Sequence, residues 1–315
     1  MNKRLIYLFI TMICFFQFGC STQSKKLTTR ILVSPKGLVH SFWVTVKAGA
    51  DSAGKEFNAE IIWKGPTQET DIAGQIAIVE DYVNKGIDAI VIAACDAHGL
   101  IPVLKKANEK NIPIITIDSG IDSDFPLSFI ATDNIVAAQK AAQVLATMIG
   151  NKGKVACIPF VPGAATSVWR EQGFVEEIKK YPDIKLLPIR YSQSDVSMGM
   201  AVTEDLLTAH PDIKGIFAAN EAGTIGVIQA LKTKNKIGKV KVIGFDAAPN
   251  EIKALKANEI NGLIVQDPFK MGYEGVKAAV NALQNKLIQK RIDTGVYVIT
   301  RDNLYQKDIQ RLIRN

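Results

Sequence analysis

From Thr29 onward the chain alternates short, nearly continuous runs of Ile, Val and Ala with longer amphipathic stretches, and this alternation constrains the fold more than any other feature. Short apolar runs bounded by turn residues suit strands, whereas apolar positions at three- and four-residue spacing suit helices. The pattern predicts strands at Arg30 to Ser34, Glu60 to Trp63, Ala89 to Ala94, Pro113 to Asp118 and Ser128 to Ala131. Their lack of polar alternation means that both faces are buried, as in a parallel sheet covered by helices. Between them, Asp71 to Asn84 carries Ile72, Ile76, Val79 and Val83 on one helical face, with Gly86 just beyond as a C-terminal cap.

A turn-rich break at Gly150-Asn151-Lys152-Gly153 interrupts the series, and the same alternation then begins again at Val155. Strands are expected at Val155 to Ile158, Lys185 to Ile189, Gly215 to Ala218, Val240 to Phe245 and Leu263 to Val265. Helices are expected near Val168 to Lys179, Asp195 to Thr208 and Ala222 to Lys232. The 315 residues therefore make two α/β lobes. With 47% hydrophobic residues and ordinary Gly and Pro content, disorder, collagen and coiled coil are excluded. No repeat with a period of about 20 to 50 residues is visible, which argues against solenoids and propellers.

Polar residues recur where these strands end. Asp118 closes Ile-Ile-Thr-Ile, Asn220 and Glu221 close Ile-Phe-Ala-Ala, Asp246 closes Val-Ile-Gly-Phe, and Gln266 closes Leu-Ile-Val. Open parallel sheets bind ligands outside the carboxyl ends of their strands, so two lobes with such ends facing each other make a polar cleft. Helix capping explains any one of these residues equally well.

Before Thr29 the sequence has a different character. Lys3 and Arg4 precede an apolar stretch from Leu5 to Phe16 that ends at Gly19-Cys20, which is the layout of an export signal and is too short for a helix that spans a bilayer. Gly19-Cys20 followed by Ser21, Thr22, Gln23 and Ser24 resembles a bacterial lipobox, with Gln17 where that pattern favours an aliphatic residue. On this reading Cys20 is lipidated and tethers the exported protein to a membrane; the alternative is simple cleavage and secretion. Cys95 and Cys157 then remain as buried free thiols. His40, His98 and His210 are scattered singly, so no metal site is expected. The net charge of +7, two units of it from Lys3 and Arg4, is not gathered into a run and points to no nucleic-acid partner.

Several further segments fall in a telling order: His40-Ser41-Phe42-Trp43 after the first strand, Ile112 to Asp118, Ala131-Thr132-Asp133-Asn134, Arg170 with Gly173-Phe174, Leu206 to Pro211, Asn220-Glu221, Gly244-Phe245-Asp246 and Gln266-Asp267-Pro268. Together they resemble the ribose-type periplasmic sugar-binding proteins of ABC importers, also called type I periplasmic binding proteins, over nearly all of residues 29–315. The resemblance implies two doubly wound parallel-sheet lobes, a three-segment hinge crossing near Thr132, Gln266 and Thr294, and a ligand cleft between the lobes. It divides the chain into a signal (1–19), a tether (20–28), an N-terminal lobe (29–131 plus 267–294) and a C-terminal lobe (132–266 plus 295–315).

It further implies that Phe42 and Trp43 flank a sugar ring while Asp118, Arg170, Asn220, Asp246 and Gln266 hydrogen-bond its hydroxyls. Those residue types suit the task, because rings cover C–H faces, carboxylates accept, the Arg fork donates and amides do both. A core position is the other reading of Trp43. No cofactor is implied. The ligand is a monosaccharide or polyol, the protein a monomer, and the partner for the closed form an ABC permease or else a chemoreceptor or sensor kinase. Three departures argue against ribose itself: Ser119 stands where the ribose pattern has Arg after Asp118, Ala93 where it has Asn, and Ser194 where it has an aromatic residue. A differently substituted pentose, a hexose or a sugar alcohol is expected. An enzyme is disfavoured because no Gly-x-Ser-x-Gly, His-Glu-x-x-His or phosphate-loop pattern occurs. A regulator of the lactose-repressor type is disfavoured because a signal-like segment stands where its DNA-binding helices would lie.

Overall fold

The computed structural model describes residues 28–313, so the signal-like segment and Cys20 lie outside the described residues. The first half of the chain runs β1 (Thr29–Ser34), α1 (Ser41–Phe57), β2 (Ala59–Trp63), α2 (Ile72–Asn84), β3 (Ala89–Ile92), α3 (Ile101–Glu109), β4 (Ile114–Ile117) and β5 (Ser128–Ala131). The second half opens with α4 (Asn134–Met148) and β6 (Gly153–Ile158), then α5 (Ala165–Ile178), β7 (Ile184–Leu186), α6 (Val196–Ala209) and β8 (Ile213–Ala218). It continues through α7 (Glu221–Thr233), β9 (Lys241–Phe245), α8 (Pro249–Lys256) and β10 (Gly262–Val265), and the chain ends with α9 (Pro268–Leu283), β11 (Arg291–Asp293), β12 (Tyr297–Ile299) and α10 (Lys307–Ile313).

These strands form two six-stranded sheets of matching order, β11-β5-β4-β3-β1-β2 and β12-β10-β9-β8-β6-β7. Each buries apolar clusters on both faces, for example Val46, Val91 and Ile117 on one side of the first sheet and Ile90, Ile92 and Leu104 on the other. The two α/β lobes expected from the sequence are therefore present, with strands close to the expected positions. β7 stops earlier than expected because Pro188 has no N–H to continue the ladder after Leu187 has donated to Val155.

β11 and β12 are invisible to pattern reading, since each has only three residues and neither is a continuous buried run. β12 pairs antiparallel with β10, the one departure from parallel pairing in the two sheets. The chain passes from the first sheet to the second between Ala131 and Asn134, back between Val265 and Pro268, and across again between Asp293 and Tyr297. The first and third passages are tied together, with Thr132 Oγ1 lying 3.2 Å from Thr294 Oγ1 and donating to the Gly295 carbonyl at 3.0 Å.

α9 returns to the first lobe and packs on α1 with backbone touching backbone. A Cβ on Gly49 would run into the Phe269 carbonyl, and one on Gly272 into the Val46 carbonyl. Cys95 and Cys157 are buried free thiols, as expected, and burial pushes the Cys95 thiol up to about 12. Because two helix backbones must separate to admit a methyl group, Gly272→Ala is expected to lower stability by about 1–3 kcal/mol. Urea denaturation of the purified protein checks this, and an unchanged midpoint contradicts the close packing.

Candidate functional site

The matching order of the two sheets makes β4 and β9 equivalent, and the residue after each is an aspartate in the left-handed region: Asp118 at φ 53° and Asp246 at φ 84°. Their backbone N–H groups bond the neighbouring strand in the same way, Asp118 to the Ile130 carbonyl at 3.0 Å and Asp246 to the Ile264 carbonyl at 2.8 Å. Asp and Asn enter this region more readily than other side-chain-bearing residues, and elsewhere in this protein it is mostly asparagines at helix ends and turns that do so. Here it turns each carboxylate into the cleft between the lobes, where both line one cavity.

The first lobe contributes an aromatic and charged wall. Phe42 and Trp43, at the start of α1, meet edge to face at 4.8 Å. Trp43 is buried in the first lobe's core, yet it also lines the cavity, so both readings of this residue hold. Its Nε1 donates to Glu69 Oε1 at 2.8 Å. Lys36 is buried with its Nζ 2.9 Å from Asp118 Oδ2. The loop that carries Lys36 is pinned by Gln75, whose amide donates to the carbonyls of Pro35 and Ala93 and accepts from the Cys95 N–H. Burial opposes the charge on Lys36, but Asp118 and Glu69 outweigh it and hold its pKa above the usual value. Burial likewise opposes ionisation of Glu69, and Lys36, His40 and Trp43 overcome it, so the carboxylate titrates far below its ordinary range.

The second lobe supplies the opposite wall. Arg170 is 2% exposed, donates from Nε to Asn134 Oδ1 and from Nη1 to the Ala219 carbonyl, both at 2.7 Å, and stacks on Phe245 at 3.6 Å. Gln266 Nε2 donates to Asp246 Oδ1 at 2.7 Å, while its own Oε1 is buried without a hydrogen-bond partner. Burial raises the Asp246 carboxyl to about 6 in spite of Arg170. Asn220 shows that capping and site placement are compatible: Oδ1 accepts from the Gly223 N–H of α7, and Nδ2 donates to Ser194 Oγ at 2.8 Å.

All seven residues expected from the sequence, Phe42, Trp43, Asp118, Arg170, Asn220, Asp246 and Gln266, line this one cavity. His40, Glu69 and Phe160 line it too and were not expected, as does Glu221, one of the strand-end polar residues read from the sequence. His40 stands far from the other histidines in sequence, and in the fold its Nδ1 lies 3.5 Å from Glu69 Oε1. Phe160 follows β6 and gives an aromatic surface to a cleft that lacks one at Ser194. Glu69 lies in the loop after β2, where no pattern marked it. The cation missing at Ser119 is replaced in space by Lys36, a residue remote in sequence from Asp118.

The cavity is only about 20 Å³, room for little more than one water, so entry of a larger molecule requires the lobes to part. A larger cavity of about 540 Å³ backs onto Phe42, Glu221, Asp246 and Gln266, but its remaining wall includes Val44, Ile252 and Leu312, and it reaches neither Asp118 nor Arg170. The convergent polar groups single out the smaller one.

Residues 31–287 match the family described as periplasmic binding protein domain. The chain belongs to this family. Among its periplasmic binding protein relatives, the ribose import binding protein of Bacillus subtilis is 28% identical over 304 residues, covering 92% of this chain and 96% of that protein. The D-allose-binding periplasmic protein of Escherichia coli is 30% identical, covering 78% of this chain and 82% of its own length. A carbohydrate transporter solute binding protein from Agrobacterium radiobacter, solved in complex with D-arabinose, superposes with a TM-score of 0.89 at 36% identity and covers 91% of this chain and 99% of its own. An ABC transporter solute binding protein from Agrobacterium vitis with bound D-fucose gives 0.88 at 36% identity, over 90% of this chain and 99% of that one. The resemblance to ribose-type sugar-binding proteins therefore holds, and the relatives are binding proteins.

Removing one partner of a buried ion pair leaves an uncompensated charge, so Lys36→Met should lower stability by about 3 kcal/mol, with Asp118→Asn added to it recovering at least half. A double-mutant cycle by chemical denaturation reads this coupling. Additive losses would show that the pair is not formed in solution.

Proposed function

We propose that the protein captures a neutral monosaccharide or sugar alcohol between its lobes and delivers it to the permease of an ABC importer. The observation that carries this reading is the convergence of Asp118, Arg170, Asn220, Asp246 and Gln266 from two lobes on one aromatic-walled cavity. A sugar presents hydroxyls that donate and accept around a ring with apolar C–H faces. Asp118 and Asp246 accept, Arg170 donates, and Asn220 and the unpartnered Oε1 of Gln266 complete the rim. Phe42, Trp43 and Phe160 cover the ring.

Neutrality follows from charge. Lys36, Arg170 and, when protonated, His40 face Glu69, Asp118, Asp246 and Glu221, so a sugar acid or sugar phosphate would bring a further anion to a site whose carboxylates already outnumber its cations. The relatives support a small neutral sugar: their names specify ribose, allose and xylitol, and their structures hold D-arabinose, D-fucose and D-tagatose. Asp118, Arg170 and Asp246 set the ligand's orientation, since charge-assisted hydrogen bonds are roughly twice as strong as neutral ones. Export and tethering through Cys20 rest on the sequence of residues 1–27 and on the family's periplasmic setting.

A thermal-shift screen against neutral pentoses, hexoses and polyols, with sugar acids and phosphates alongside, tests the reading. Stabilisation by one or a few neutral sugars is expected. Stabilisation by an acid or phosphate alone, or by nothing in the panel, would contradict it. Because the Asp246 carboxyl titrates at about 6 and accepts more strongly from a hydroxyl when ionised than when protonated, affinity should fall as pH drops from 7 to 5. The fall should vanish in Asp246→Asn; titration calorimetry across that range distinguishes the cases.

A further inference from the structure

An indole that walls a ligand cavity has one N–H to satisfy, and a buried donor left unpaired costs stability. Trp43 is 2% exposed, lies in the first turn of α1 and meets this need through a single residue: its Nε1 donates to Glu69 Oε1 at 2.8 Å. Glu69 is 7% exposed and sits in the loop between β2 and α2, so donor and acceptor belong to the same lobe and the bond does not depend on how far the lobes stand apart. The stem of Glu69 lies against Gly37, where an added Cβ would meet Glu69 Cγ at 3.2 Å. Lys36 and His40, also of the first lobe, keep the carboxylate ionised. Its other oxygen faces the second lobe. Glu69 Oε2 accepts from Ser194 Oγ at 2.9 Å, and Ser194 Oγ in turn accepts from Asn220 Nδ2 at 2.8 Å.

We propose that Glu69 is the positioning residue for the aromatic wall, fixing the Trp43 ring from within the first lobe and, once a ligand has drawn the lobes together, tying that ring through Ser194 to Asn220. The inference rests on the reading that the cavity holds a sugar, and it names what orients the ring that covers the sugar's C–H face. One Glu69 oxygen is taken by Trp43 and the other by Ser194, so the residue acts through its neighbours. Any other orientation of the indole would leave its only donor unpaired in a buried place, and the bond therefore selects one orientation. Phe42, which meets Trp43 edge to face, is seated by the same choice. Because the Trp43 bond is made inside one lobe, the ring is set before a ligand arrives, and less ordering is left to be done on binding. The Ser194 bond joins the two lobes and so belongs to the ligand-bound arrangement.

Deuterium exchange at the Trp43 indole N–H, followed by NMR on the full-length protein without sugar, reads the contact inside the first lobe. The chain has three tryptophans, and Trp43→Phe identifies the signal. In Glu69→Ala the indole should exchange about tenfold faster or more, and in Glu69→Gln, whose amide oxygen still accepts, within about threefold of the wild type. Titration calorimetry with a neutral sugar that binds the wild type reads the consequence. Glu69→Ala should raise Kd about tenfold and Glu69→Gln should recover most of that loss; in a Trp43→Phe background Glu69→Ala should add no more than about threefold, because its effect passes through the indole. A carboxylate that merely supported the fold would weaken binding equally with and without the indole. Glu69→Met, similar in length and without an acceptor, replaces the alanine variant if that variant does not fold. Unchanged indole exchange on loss of the acceptor, or losses in affinity that add in the double variant, would overturn the proposal. The exchange measurement uses no sugar, so a panel without a ligand would refute the proposed function while exchange still decides whether Glu69 holds the ring.

Discussion

Charge buried between two sheets has to be balanced from both sides of the cleft, and the rest of the molecule follows from that constraint. Lys36 answers Asp118 within the first lobe, while Arg170 in the second is held by Asn134 and Ala219 with its face on Phe245. Glu69 and Glu221 reach across to Ser194 and to the start of α1. None of these groups could be buried singly without a cost of several kcal/mol. Placed at the seam, they keep water accessible when the lobes part and find protein partners when they meet.

The matched order of the sheets gives the site its symmetry. β4 and β9 end in Asp118 and Asp246 in the same backbone conformation and with the same bond to the adjacent strand. The cleft therefore presents a carboxylate from each side. Around this shared frame the two halves differ: the first lobe adds Phe42, Trp43 and Lys36, the second Phe160, Arg170 and Gln266. The acceptors are thus common to both halves, whereas most of the aromatic cover and the choice of cation are particular to each.

Much of this was legible in the sequence. Buried strands announce themselves as unbroken Ile and Val runs, so the lobes and the strand-end residues Asp118, Asn220, Asp246 and Gln266 could be read directly. β11 and β12 could not, because three residues are too few to carry a periodicity and are strands only through their partners β5 and β10. The same limit applied within the site. Lys36, Glu69 and Phe160 lie in loops, where spacing carries no information about which side chains converge, and Lys36 meets Asp118 only because the β1 and β4 ends adjoin the same cleft. His40 looked solitary in sequence and stands beside Glu69 in space. The departures from the ribose pattern at Ser119 and Ser194 were visible, but their replacements by Lys36 and Phe160 were not, since substitution in space leaves no trace in linear order.

If the lobes close on a sugar, Asp118 and Asp246, one from each lobe, hold it at once. Titration calorimetry of Asp118→Asn, Asp246→Asn and the double variant with a sugar that binds the wild type tests it most directly. Each single change should weaken binding by about 1.5–3 kcal/mol, the worth of a hydrogen bond to a charged group, with the double variant showing no measurable heat. Wild-type affinity in either single variant would mean that the ligand is held by one lobe alone and would contradict the account.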